Sequence, residues 1–189
     1  MNRKTLWIVL GVIAIVLIGW LISSYNSFVS AHLGVNQSWA QVETQYQRRS
    51  DLVPNLVSTV KGSANFERET LTDVTNARSA WAQANQVGNR TDMISAAQGF
   101  DSALSRLLVT VEAYPQLRST QAFTDLMAQL EGTENRIAVA RKDYNDSATR
   151  YNTRVSMFPG ILLARMFGFQ SEPLFQSTSG AENAPQVQF

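Results

Sequence analysis

Apolar residues are distributed along this chain in three regimes. From Thr5 to Ile22 the sequence TLWIVLGVIAIVLIGWLI runs without a charge. A helix rises about 1.5 Å per residue, so a stretch of this length reaches across the hydrocarbon core of a bilayer. Trp7 and Trp20 stand near its ends, where amphipathic rings favour the membrane interface. From Tyr25 to Phe158 apolar positions instead recur every three or four residues, which predicts helices with one buried face. Val35, Trp39, Val42 and Tyr46 begin the series. Leu52, Leu56 and Val60 continue it, and Leu71, Val74 and Trp81 resume it after a polar stretch. Met93, Ala97, Phe100, Leu104, Leu107, Leu108 and Val111 form the next stripe. The last stripe is Phe123, Met127, Leu130, Glu134, Ile137, Arg141, Tyr144, Ala148, Tyr151, Val155 and Phe158, a heptad seam of the coiled-coil kind. No stretch alternates with the period of a strand.

Helix boundaries follow from local chemistry. The break at Gln86–Arg90 is followed by Thr91 and Asp92, either of which can cap the next helix. Tyr114-Pro115 ends that helix, because a residue before proline is pushed out of helical geometry. Pro159-Gly160 ends the last one. Pro54 is ambiguous. Ser50 or Asp51 can cap a new helix with Pro54 in its first turn, giving four helices. A kink within one long helix gives three. The apolar phase passes through Pro54 unshifted and does not decide.

Arg3 and Lys4 precede the apolar run, and no Lys or Arg follows until Arg48. This asymmetry predicts a cytoplasmic N-terminus with the remainder outside, as in a single-pass protein of the plasma membrane. The competing assignment is a cleaved signal peptide, whose apolar core is about 7–15 residues with a small-x-small site close behind. Here the run is longer and the nearest candidate, Val29-Ser30-Ala31, lies well downstream. The expected organisation is an anchor within residues 1–24, a helical domain over 25–169 and a disordered tail over 170–189.

Composition narrows the chemistry. Lys and Arg total 16 against 15 Asp and Glu, leaving no basic surplus for a nucleic-acid partner. The chain has no cysteine and one histidine, His32, so thiolate or imidazole metal sites and a di-iron bundle site are not expected. His32 itself is expected to be solvated. No cofactor and no catalytic residue is predicted.

Charges on the apolar seams are a separate matter. Glu134 and Arg141 lie on the last seam, Arg48, Arg49 and Asp51 cluster beside Pro54, Glu112 stands at a helix junction, and Glu131 and Arg136 flank the seam. A buried charge is costly unless paired. Several of these eight are therefore expected to meet in a polar layer that fixes helix register. The alternative is a ligand or catalytic site. Tyr144-Asn145 and Tyr151-Asn152 repeat at seven residues and read as core tyrosines with satisfied hydroxyls.

After Pro159, the residues Ile161, Leu162, Leu163, Met166, Phe167 and Phe169 make a dense apolar segment. It either closes the open end of the bundle or meets the bilayer surface, and the two roles are compatible. The terminal Val187-Gln188-Phe189 resembles carboxylate ends that add to a peptide groove, a weak signal at three residues.

Several motifs together resemble the LemA family: Arg48-Arg49-x-Asp51-Leu52-Val53-Pro54-Asn55-Leu56-Val57 with Val60-Lys61-Gly62, Leu104-x-x-Leu107-Leu108 before Glu112-Ala113-Tyr114-Pro115, and Glu131 to Arg141 followed by Asp143-Tyr144-Asn145, Tyr151-Asn152 and Phe158-Pro159. The resemblance implies a bacterial, all-α protein with an N-terminal transmembrane helix and an antiparallel up-and-down four-helix bundle, which favours a turn at Pro54. It implies no defined reaction. Where the family often carries an aromatic residue and His-Glu after Lys-Gly, this chain has Ser63-Ala64-Asn65-Phe66-Glu67. The expected function is a non-enzymatic scaffold in contact with the lipid bilayer, docking a protein partner or forming a homo-oligomer. A small-molecule binder or enzyme using the Arg/Glu layer, and a membrane-remodelling protein, are the rivals.

Overall fold

The computed structural model describes residues 2–62 and 67–176. Its helices are α1 (Arg3–Lys61), α2 (Arg68–Val87), α3 (Arg90–Val111), α4 (Pro115–Arg118), α5 (Gln121–Ser156) and α6 (Gly160–Phe167), with no strand among the described residues.

Helix α1 runs for 59 residues without interruption. Its first part, from before Thr5 to Ile22, leaves its apolar side chains exposed, Trp7 and Trp20 included. Among the described residues it is the one helix long and apolar enough to cross a membrane. From Phe28 onward the same helix turns Val35, Trp39, Val42, Tyr46, Val53, Leu56 and Val60 into the core.

Pro54 lies within α1, so the turn favoured there is replaced by continuous helix. The chain reverses after Lys61 instead. Proline has no N–H for the carbonyl four residues back, which would leave Ser50 without its helical partner. Arg78 of α2 supplies the missing donor. Its Nε donates to the Ser50 carbonyl at 3.0 Å and approaches the Ser50 Oγ at 3.2 Å.

The other boundaries are local. Gly88 ends α2 in the left-handed region at φ 75°, a conformation open to glycine. Asn89 then caps α3, two and three residues ahead of the expected Thr91 or Asp92; its Oδ1 accepts from the backbone N–H groups of both. Helix α3 stops before Tyr114-Pro115, as the proline requires. Thr120 caps α5 through the Phe123 N–H.

Side-chain pairs fix how the helices run. Ser38 meets Ser147, Trp39 meets Tyr144 and Arg49 meets Glu134, so α1 and α5 are antiparallel. Tyr46 packs on Trp81 and Ser50 receives Arg78, so α2 also opposes α1. Asn36 meets Arg90 and Tyr46 meets Asp101, so α3 runs with α1. Tyr46, Trp81, Phe100, Leu107, Ile137 and Tyr144 belong to one shared core. Each fully buried large apolar side chain adds roughly 1.5–3 kcal/mol.

Along α5 the buried residues are Phe123, Leu126, Leu130, Thr133, Ile137, Ala140, Tyr144, Ala148, Tyr151 and Val155. A buried stripe at this spacing is present, with four departures, one being Arg141, half-buried beside the buried Ala140. Met127 is half-buried, and Thr133 occupies the place expected for Glu134, which is exposed. Phe158 lies beyond the helix end and is 80% exposed, because the following proline excludes it from helical geometry. The chain then folds back as α6. A Cβ on Gly160 would lie 2.2 Å from the Arg154 carbonyl, so only glycine allows this approach. Phe167 packs on Tyr25 and Phe169 on Phe28, setting α6 where α1 enters the core.

Candidate functional site

A polar layer crosses the bundle in the half farther from the apolar start of α1. Arg49 comes from α1, Asp101 from α3, Glu134 and Arg141 from α5. The Arg49 side chain is 3% exposed and bridges two carboxylates, Asp101 at 2.5 Å and Glu134. Arg141 also pairs with Asp101. Tyr46 donates its hydroxyl to Asp101 at 3.1 Å, and both guanidinium groups lie over the Tyr46 ring. Burial raises the Asp101 carboxyl from its usual range to about 7, opposed by Arg49 and reinforced by Glu134. Burial also lowers Arg141 to about 10, which leaves it charged at neutral pH.

Of the eight residues expected in this layer, Arg49, Glu134 and Arg141 meet. Glu131 stands beside them on the wall of a cavity. Arg48, Asp51, Glu112 and Arg136 are exposed and apart from it. Their positions on α1, α5 and the α3 junction point them to solvent, where a charge needs no partner. The group that joins the two arginines, Asp101, was not anticipated. Its signal was present: it falls four residues after Ala97 and three before Leu104, on the apolar face of α3.

The cavity holds about 350 Å³ between α3 and α5. Leu104, Leu108, Met127 and Leu130 form its apolar wall, and Arg49, Asp101, Ser105, Glu131 and Glu134 its polar side. Among the described residues no cluster of His, Cys, Asp and Glu is arranged to hold a metal ion.

A second constellation lies on the α1–α5 face. Residues 170–176 were expected to be disordered with the rest of the tail, on composition; they are instead extended and held against the bundle. Asn152 accepts from the Glu172 N–H at 2.7 Å and donates to the Glu172 carbonyl at 2.8 Å. Asn145 does the same for Phe175, at 3.0 and 2.9 Å. Tyr144 donates to the Pro173 carbonyl at 2.6 Å, and burial, then Glu172, raises its hydroxyl to about 12. Phe175 is buried against Trp39 and Tyr144, with the Arg141 guanidinium 4.9 Å from its ring centre. Glu172 pairs with Arg90 at 2.6 Å and lies 3.4 Å from His32. His32 is therefore half-buried, packed on Tyr151 and facing a carboxylate, rather than solvated as expected. The remainder of the tail, with Val187-Gln188-Phe189, lies outside the described residues.

In the apolar segment after Pro159, Leu163 is buried, Ile161 and Phe169 are half-buried, and Leu162, Met166 and Phe167 are exposed. Closure of the bundle end and an exposed apolar surface thus coexist in one short helix.

The chain as a whole has known relatives. The sequence model of the LemA family matches residues 38–189. The chain belongs to the LemA family. The matched range contains the polar layer, the cavity and the 170–176 segment. Magnetosome protein MamQ 2 of Paramagnetospirillum magneticum is 29% identical over 89% of this chain and 70% of its own length. Magnetosome protein MamQ of Magnetospirillum gryphiswaldense is 26% identical over 88% and 71% respectively. Protein LemA of Metamycoplasma hominis is 23% identical over 72% of this chain and 62% of its own. The Ser63–Phe66 departure from the LemA family pattern lies outside the described residues.

Proposed function

We propose that this LemA family protein is a non-enzymatic docking module: an antiparallel up-and-down four-helix bundle held by the apolar start of α1 at the outer face of a bacterial plasma membrane. The observation that carries this reading is the polar layer. Its two arginines and two carboxylates come from three helices and engage one another, the arrangement of a register-fixing device. The bundle then serves as a rigid platform. Tethering on a membrane concentrates it, so weak contacts with a partner or with further copies suffice. The exposed apolar residues of α6, beside the base of the span, provide a surface for lipid.

The test uses full-length protein, tagged at its N-terminus, in mild detergent. A discrete homo-oligomer, or a stoichiometric partner whose retention is abolished by substitutions on the bundle surface, supports the docking reading. A monomer that retains no partner overturns it. The 350 Å³ cavity favours a second reading, a small-molecule binder, because an apolar wall facing a charged one suits an amphiphilic ligand. Saturable ligand binding blocked by Leu104→Trp would support that reading.

A further inference from the structure

We propose that the α1–α5 face is a recognition groove for an extended polypeptide carrying an acidic residue and, three positions later, an aromatic one, and that residues 170–176 are its resident occupant in the same chain. The proposal rests on the docking reading and names where docking occurs.

The argument begins with spacing. Asn145 and Asn152 are seven residues apart on α5, about 10.5 Å at the helical rise. Glu172 and Phe175 are three residues apart on an extended chain, about 10 Å at the strand rise. The two distances match, so each asparagine can satisfy both the N–H and the C=O of one residue, as a neighbouring strand does. These contacts read main chain and do not depend on the side chains presented. They define a site for an extended peptide running opposite to α5.

Side-chain selection comes from the two ends. At one end Arg90 receives the Glu172 carboxylate, with the His32 ring 3.4 Å from it. At the other, Trp39, Tyr144 and Arg141 enclose the Phe175 ring on three sides. Between them Tyr144 takes the Pro173 carbonyl, while Leu174 is 39% exposed and makes little demand on sequence. An acidic residue, two less constrained positions and an aromatic residue is therefore the pattern read. Charge complementarity favours an acidic residue at the first position, where Arg90 pairs with it. The resident segment is joined to α6 and has no helix or strand of its own, so it leaves without unfolding a helix. A partner segment bearing the same pattern competes for the same bonds.

The probe is the blocked, fluorescent peptide Gln-Ser-Glu-Pro-Leu-Phe-Gln, the sequence of residues 170–176. It is titrated against full-length protein carrying Glu172→Ala and Phe175→Ala, which weaken the resident segment. Saturable binding at least ten-fold tighter than to the unaltered protein is expected, with loss of that binding on adding Asn145→Ala and Asn152→Ala. A folded Glu172→Ala/Phe175→Ala protein that does not bind the peptide overturns the proposal. It leaves the docking reading intact if the unaltered protein still assembles. Hydrogen exchange on the unaltered protein provides a measurement independent of the variants. The Glu172 and Phe175 amides are expected to exchange faster than the α5 core amides, through opening of the segment alone. Exchange of these amides only with global unfolding would equally overturn the proposal.

Discussion

At the scale of single residues, Asp101 sets the chemistry of the bundle. It is faced by Arg49 and Tyr46 from α1 and by Glu134 and Arg141 from α5. With its folded value near 7 and its unfolded value near 3.8, the native state holds a proton that the unfolded chain releases between those limits. Stability from this group is therefore greatest at acid pH and declines as pH rises toward 7, by about 4 kcal/mol at most. The expected result is that Asp101→Asn gains stability relative to the unaltered protein between pH 5 and pH 8, read from paired thermal melts. The opposite slope would show that the arginines outweigh burial. Arg49→Met is expected to cost about 3–5 kcal/mol in urea unfolding, because it breaks a buried ion pair and leaves Asp101 with Arg141 alone of its two cations. The periodic pattern placed Glu134 and Arg141 on the seam; Glu134 is exposed beside it and reaches the layer through Arg49, while Arg141 reaches it through Asp101. It did not supply Asp101, which joins Arg49 to Arg141, because a three-helix junction depends on which helices are neighbours, and spacing along one helix carries no such information.

At the scale of elements, Pro54 shows where local rules give way to packing. The residues around it suit either a cap or a kink, and the resemblance to the LemA family favoured the turn. The helix continues because a side chain from α2 replaces the backbone donor that proline lacks. A partner 28 positions away decides the matter, which no local reading of Asp51–Asn55 reveals. Arg78→Met is expected to destabilise by about 1–3 kcal/mol, the cost of a buried carbonyl left unpaired. In a Pro54→Ala background the same substitution should cost less, since the alanine N–H can take the Ser50 carbonyl. A double-mutant cycle measured by denaturant unfolding checks the coupling, and additive costs would exclude it. The 170–176 segment illustrates the complementary case. Its Gln, Ser and Pro content reads as disorder, yet four asparagine bonds hold it, two given and two accepted by side chains 20 and 30 residues away in sequence. By contrast the extent of α5 was legible, because apolar residues recur every three or four positions along nearly all of its 36 residues.

At the scale of the whole molecule, α6 and the end of the apolar run of α1 form one apolar collar. Tyr25, Phe28, Phe167 and Phe169 interlock at that level, with Leu162 and Met166 exposed beside them. The absence of cysteine makes a direct test simple. A fluorophore on Leu162→Cys, in full-length protein in lipid nanodiscs, is expected to be quenched by nitroxides carried at the lipid headgroup. One placed on Val109→Cys, on the far part of α3, should not be. Equal quenching of both, or of neither, would remove the collar from the bilayer surface.

The unbroken α1 has a mechanical meaning as well. With its apolar end embedded as proposed, the span and the bundle's first strut are a single lever. Roughly forty residues project past the span, about 58 Å at the helical rise. A tilt of about 20°, ordinary for a membrane helix, then sweeps the far end sideways by about 20 Å. Bilayer thickness or curvature would thus be converted directly into the position of the polar layer and the peptide groove, with no hinge between to absorb it.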